Sequence, residues 1–193
     1  MRVKIGPMMV NIGTTHLQSS YPCKDALKFM QYRHVRRSQI IEIRDFFDSK
    51  VKNDFCVLAG DLNVDGREDV KPPAFEGIPC QEDYQMMVDI LSRQGEVPVV
   101  DVIRERYGYS LPTYGRVDTD GMPLETVLTL KEESTLSQTL DHIFLIGNVP
   151  SYFKVVYEET VVVPFKVHNM PFTQISDHAV SYTHLTLPTN REV

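Results

Sequence analysis

The chain has 193 residues, 42% apolar and 24% charged, with a formal net charge of −6. That length supports one domain with a substantial core, and the acidic balance excludes a large basic nucleic-acid surface while leaving room for a local patch. No apolar run reaches the length of a membrane span, no apolar segment follows the basic residues at the start as in a signal peptide, and the three cysteines have no metal-binding spacing.

Residues 2–15 read as strand material, broken by a turn or bulge at Gly6-Pro7. A loop follows over residues 19–25. The next stretch, residues 28–52, has a helical pattern. Val35, Ile40, Ile43, Phe47 and Val51 form the apolar side, while Arg33, Arg36, Arg37, Glu42, Arg44 and Asp48 fill the polar one. Arg33 and Arg37 are expected on a solvated face.

Phe55-Cys56-Val57-Leu58-Ala59 is an unbroken apolar run suited to a central strand covered on both faces, and Cys56 fits there as a small core residue. It stops at Gly60-Asp61-Leu62-Asn63. In an extended chain Asp61 and Asn63 share one face and Leu62 points into the core. A carboxylate and a carboxamide at a rigid strand end can orient a nucleophile. The same residues are also turn formers.

Residues 64–81 read as a loop. Asp83 is expected to cap a helix over residues 84–93, with Met87, Ile90 and Leu91 buried. A short strand is expected over residues 97–102, and Leu111 to Gly115 as extended, exposed chain. Residues 124–130, 140–146 and 153–163 read as strands. Glu158-Glu159 marks the last as an edge. Residues 181–193 lack a clear period and are expected to form a tail outside the domain, of the kind that read-through in assembled transcripts produces.

Four polar clusters lie where apolar strands end: Thr15-His16-Leu17-Gln18, Gly60-Asp61-Leu62-Asn63, Leu140-Asp141-His142-Ile143-Phe144 and Ser176-Asp177-His178. Catalytic groups of layered α/β folds gather at such ends. Singly, each has a plainer reading: His16 as a strand-end histidine, Asp141 bonded to a backbone amide, His142 exposed on the opposite face, Asp177-His178 as a surface turn.

In order and surroundings the four clusters resemble the motifs of the endonuclease/exonuclease/phosphatase superfamily, the fold of deoxyribonuclease I. Thr15-His16-Leu17-Gln18, with Arg37 and Gln39 on the following helix, is similar to its T-H-L/x-Q segment and R-x-x-Q-type helix. Gly60-Asp61-Leu62-Asn63 is similar to G-D-x-N, Asp141 to Phe144 to D-x-I/V-F, and Ser176 to His178 to S-D-H. Thr15 to Ser19, Tyr84 with Met87 and Leu91, and Pro112-Thr113-Tyr114 look most like neutral sphingomyelinase-type members.

The resemblance implies an α+β fold, a four-layer sandwich of two sheets flanked by helices, with residues 1–180 forming part of that domain. It implies a phosphodiesterase that cleaves sphingomyelin to ceramide and phosphocholine. Asp61 would orient or deprotonate water, and Asn63 would hold a phosphate oxygen. His16 would contact the transition state, His178 would bond the phosphate or act as acid/base, and Asp141 would fix an imidazole. Mg²⁺, or Mn²⁺ or Co²⁺ in its place, would be held by Asp177, His178 and Asp61. The family's early Asn and metal-binding Glu have no counterpart in the fifteen residues before His16. The chain is therefore expected to be the C-terminal part of such a domain, poorly stable and nearly inactive alone. The partner implied is a phospholipid at a membrane surface, with no stable nucleic-acid partner. A nuclease of the same superfamily, or a non-catalytic scaffold of that fold, is the alternative.

Overall fold

A computed structural model describes residues 1–20, 25–50, 55–67, 80–115, 137–149, 154–163 and 178–186. The expected strand over residues 124–130, Cys23 and Asp177 lie outside these.

The first strands, β1 (Arg2–Ile5) and β2 (Met8–His16), form an antiparallel hairpin turned at Gly6, whose φ of 59° suits a residue without Cβ. Helix α1 (Ala26–Lys50) carries the chain across to β3 (Phe55–Asp61), which pairs parallel to β2. Parallel pairing needs such a crossover. Helix α2 (Cys80–Leu91), strand β4 (Val99–Asp101), helix α3 (Val102–Tyr107) and strand β5 (Asp141–Ile146) follow. The main sheet has the order β1-β2-β3-β5-β4. Strands β6 (Lys154–Val163) and β7 (Val180–Thr186) form a second, antiparallel sheet. Val180 to Thr186, where the sequence shows no period, is thus regular strand.

Side-chain alternation splits the core between the two faces of the main sheet. Cys56 and Leu58 of β3, with Phe144 and Ile146 of β5, pack against Ile40 and Phe47 of α1 and Met87, Ile90 and Leu91 of α2. Phe55 and Val57, with Ile143 and Leu145, join Val10 of β2 and Val102 of α3 on the other face. The apolar run of β3 is continuous because both faces are covered.

Four expectations need correction. Asp83 is not the cap of α2, which begins three residues earlier. It lies buried in the first turn, where a carboxylate is favoured, and it pairs with Arg33 and Arg36 of α1. Arg33 and Arg36 therefore face α2 and not solvent, and Arg36 is buried, while Arg37 is exposed. Val35 is exposed, since the buried side of α1 passes through Arg36 and Ile40 instead. Residues 111–115 are not exposed: Thr113 and Tyr114 are buried, because this segment threads between Gln138 and Ala179 and exchanges backbone hydrogen bonds with both.

Helix α3 was not legible from apolar periodicity, since it has six residues. Its caps do mark it. The Asp101 carboxylate accepts from the Ile103 and Arg104 amides, and Gly108 closes it with φ 76°.

Candidate active site

Strand register builds the site. His16 of β2 lies opposite Asp61 of β3, and Asp61 lies opposite Asp141 of β5. The three residues form one row across three strands. They share parity with Val10, Val57 and Ile143, so they sit on the α3 face of the sheet. Gly60 makes the row possible. Its φ is 143°, and a Cβ there would overlap the Thr15 carbonyl oxygen of β2.

His178 completes the cluster from just before β7. The Ala179 amide donates to the Thr113 carbonyl at 2.6 Å, and His178 pairs with Tyr114 as an isolated bridge. The imidazole packs at 5.2 Å from the Tyr114 ring. Its Nδ1 lies 2.7 Å from Asp141 Oδ2, and its Nε2 lies 3.7 Å from Asp61 Oδ2. His16 Nε2 approaches the same Asp61 oxygen at 3.4 Å. Two imidazoles therefore converge on one carboxylate. The His16 side chain is 71% exposed and that of Asp61 15%, so the cluster is wet on one side only.

The two carboxylates are pushed apart electrostatically. Burial and the neighbouring Asp141 raise the Asp61 pKa, against the lowering effects of the Asn63 amide, His178 and His16. Burial also opposes charge on Asp141, but the His178 hydrogen bond and charge, helped by Thr113, hold its pKa below the ordinary value. Asp141 is thus the fixed anion that faces His178, and Asp61 is the more basic carboxylate. Two carboxyls tuned in opposite directions are a common basis for dividing acid and base roles.

Strand β3 ends at Asp61, and Asn63 has a φ of 51°. The extended geometry expected through Asn63 is therefore interrupted by a turn. The Asn63 amide N–H donates to Asp61 Oδ1 at 2.9 Å, and its side chain donates to the Leu17 carbonyl at 3.0 Å. Asn63 thus ties the end of β3 to the segment after His16, while Leu62 is buried as expected.

Arg36 and Gln39 of α1 hold that segment from behind. Arg36 Nη1 donates to the Gln18 carbonyl at 3.0 Å and to Ser20 Oγ, and Gln39 Oε1 accepts from the Gln18 amide at 2.9 Å. The sequence pointed to Arg37, but Arg36 is the arginine that reaches the loop. The signal was available: Arg36 lies three residues before Gln39, so both fall on one side of a helix.

His142 also needs correction. Expected on an exposed face, it is 1% exposed and lies between Asp101 and the Val64 carbonyl. Its parity puts it with Phe144 and Ile146, on the face covered by α1 and α2.

Among the described residues, no group of three His, Cys, Asp or Glu side chains is arranged to hold a metal ion. The His178 ring lies between the Asp61 and Asp141 carboxylates, so the three groups do not face a common cation. The described residues therefore do not by themselves fit a cation cage.

No family model matches the chain. Over 88% of its length it is 29% identical to a sphingomyelinase of Dictyostelium discoideum, of which the match covers 48%. It thus spans about half the length of the curated relative it matches. Its structure is similar to sphingomyelinase C from Streptomyces griseocarneus, with a TM-score of 0.51 at 20% identity over 92% of this chain and 53% of that one. It is also similar to an endonuclease/exonuclease/phosphatase from Beutenbergia cavernae, with a TM-score of 0.54 at 17% identity over 96% and 38%. The chain therefore shares the α+β fold of these solved structures, and its sequence is similar to that of a sphingomyelinase.

Proposed function

We propose that the site hydrolyses a phosphodiester, and that its substrate is the phosphocholine ester of a sphingolipid at a membrane surface. The observation that carries this reading is the row His16, Asp61 and Asp141 with His178 bonded to it. Likeness in sequence to a sphingomyelinase supports the substrate class.

The chemistry follows from the residues. Hydrolysis adds a water oxygen to phosphorus and releases an alcohol that must take up a proton. Asp61, the carboxylate whose pKa is raised, takes the water proton or orients the water. His178, whose Nδ1–H is held by Asp141, presents Nε2 toward Asp61 and the phosphoryl group, where it accepts the proton that Asp61 takes from water and passes it to the leaving alcohol oxygen. His16 is exposed enough to meet a substrate and adds a donor at the developing negative charge. Asn63 holds the loop and contacts a phosphate oxygen. Mg²⁺ would supply further charge neutralisation, with Asp177 joining His178 and Asp61 as ligands.

The test is turnover of sphingomyelin in mixed micelles, with a short DNA duplex as the competing substrate and Mg²⁺ against EDTA as the metal arms. Release of phosphocholine, abolished by Asp61→Asn, is the expected result. The expectation that residues 1–193 alone turn over slowly belongs to the proposal, so the longer protein is assayed beside them. Cleavage of the duplex with sphingomyelin untouched would replace this reading by the nuclease one. Turnover of neither substrate by the longer protein would leave a binding scaffold.

A further inference from the structure

His142 belongs to a second imidazole–carboxylate pair, back to back with the first. Its neighbour Asp141 points to the site face, and its own ring points to the opposite face. Nδ1 lies 3.1 Å from Asp101 Oδ2, and Nε2 lies 2.8 Å from the Val64 carbonyl oxygen. A carbonyl oxygen can only accept, so Nε2 carries a proton. The same Asp101 oxygen accepts from the Tyr84 hydroxyl at 3.0 Å, while Asp101 Oδ1 caps α3. Arg104 lies over the Tyr84 ring at 4.5 Å. The His142 ring is stacked on Phe144 at 5.5 Å. Every polar atom of this buried group is thereby engaged, at the cost of burying ionisable side chains.

Val64 follows Asn63 directly. The turn that it opens is held at three backbone points: Leu62 N–H to the Leu140 carbonyl at 2.9 Å, Asn63 N–H to Asp61 Oδ1 at 2.9 Å, and Gly66 N–H to the Thr139 carbonyl at 3.0 Å. His142 Nε2 donates to the Val64 carbonyl in the middle of these, and Ser110 Oγ donates to the Gly66 carbonyl at 2.7 Å at the end of the turn. A Cβ at Gly66 would come within 2.9 Å of His142 Cε1, so the loop lies close against that edge of the ring. Asn63 stands in the left-handed region, which asparagine tolerates and which the bond of its amide to Asp61 supports locally.

We infer that His142, fixed by Asp101 and Tyr84, is a positioning residue that locks the Leu62–Gly66 turn and so sets where Asp61 and Asn63 stand. The functional half of this statement rests on the reading of those two residues as catalytic.

Two substitutions separate the two ring nitrogens. In His142→Gln the amide nitrogen reaches the place of Nε2 and keeps a donor for Val64. In His142→Asn it stays near the place of Nδ1, next to Asp101, and the Val64 carbonyl loses its donor. Deuterium exchange is read by NMR at the amides of Leu62, Asn63 and Gly66, and kcat and KM are measured beside it. Loss of one buried hydrogen bond predicts exchange at these three amides about tenfold faster in His142→Asn. It also predicts kcat lower by a similar factor with KM within about twofold. His142→Gln recovers most of both. Unchanged exchange in His142→Asn overturns the inference. Equal acceleration in both variants, spread through β3 and β5, also overturns it, since that is a packing role. If neither variant folds, Asp101→Asn decides. It keeps Oδ1 for the cap of α3 and leaves a neutral His142 with Nε2–H on Val64, so protection of the turn must persist. If the unsubstituted protein cleaves no phosphodiester, the reading under Proposed function fails, while the exchange data still decide whether His142 holds the turn.

Discussion

Replacing Asp141 by Asn tests the cluster at its centre. The carboxylate accepts from His178 Nδ1 at 2.7 Å. An amide turned to donate would move the His178 proton to Nε2, the nitrogen facing Asp61 at 3.7 Å. The side chains of His178 and Asp141 are 26% and 21% exposed, so the ion-pair part is discounted for screening and taken as about 1 kcal/mol of stability. The tautomer effect on rate is larger, roughly 10²- to 10⁴-fold in kcat, with KM little changed. Asp141 has a lowered pKa, so its stabilising contribution is present above pH 3.8 and is lost as pH falls through the lower folded value. Asp141→Asn should therefore also flatten the acid limb of the stability profile. The assay is phosphodiester turnover beside ¹⁵N-resolved NMR of the His178 ring. A kcat within threefold of the unsubstituted protein, with the proton still on Nδ1, would refute the role given to Asp141.

His16→Ala should lower kcat by about 10²-fold. Its exposed side chain makes a stability change beyond about 0.5 kcal/mol unexpected in urea titration. Arg36→Ala should cost about 2–3 kcal/mol in the same titration, because it leaves the buried Asp83 with Arg33 alone and removes the donor of the Gln18 carbonyl. A loss under 1 kcal/mol would show that Arg36 is dispensable. Gly60→Ala should cost more than about 4 kcal/mol, since neither φ nor space allows a Cβ. Soluble, normally melting Gly60→Ala protein would mean that β2 and β3 pair differently there. His142 has a raised pKa: burial opposes its charge, but the bond and charge of Asp101 outweigh that. Its contribution is complete below pH 6.5 and is lost as pH rises through the higher folded value. The melting temperature should fall along that alkaline limb, and His142→Gln should show no such fall.

The sequence alone marked β2, β3 and β5, the long helix, and the polar clusters that end those strands. Apolar runs such as Phe55 to Ala59 have no other economical use than a covered strand. The polar groups that end them are placed by the two-residue period of a strand. What period and composition cannot carry is which strands are neighbours, and with it which face a residue turns to. Hence the sequence pattern places His142 on an exposed face, Arg33 on a solvated one and Thr113 in open chain, although each meets partners far away in sequence. Asp101 lies 41 residues from His142, and Asp83 lies 50 from Arg33. Only tertiary pairing brings His16, Asp61 and Asp141 into one row, because register is a relation between strands and no single strand encodes it.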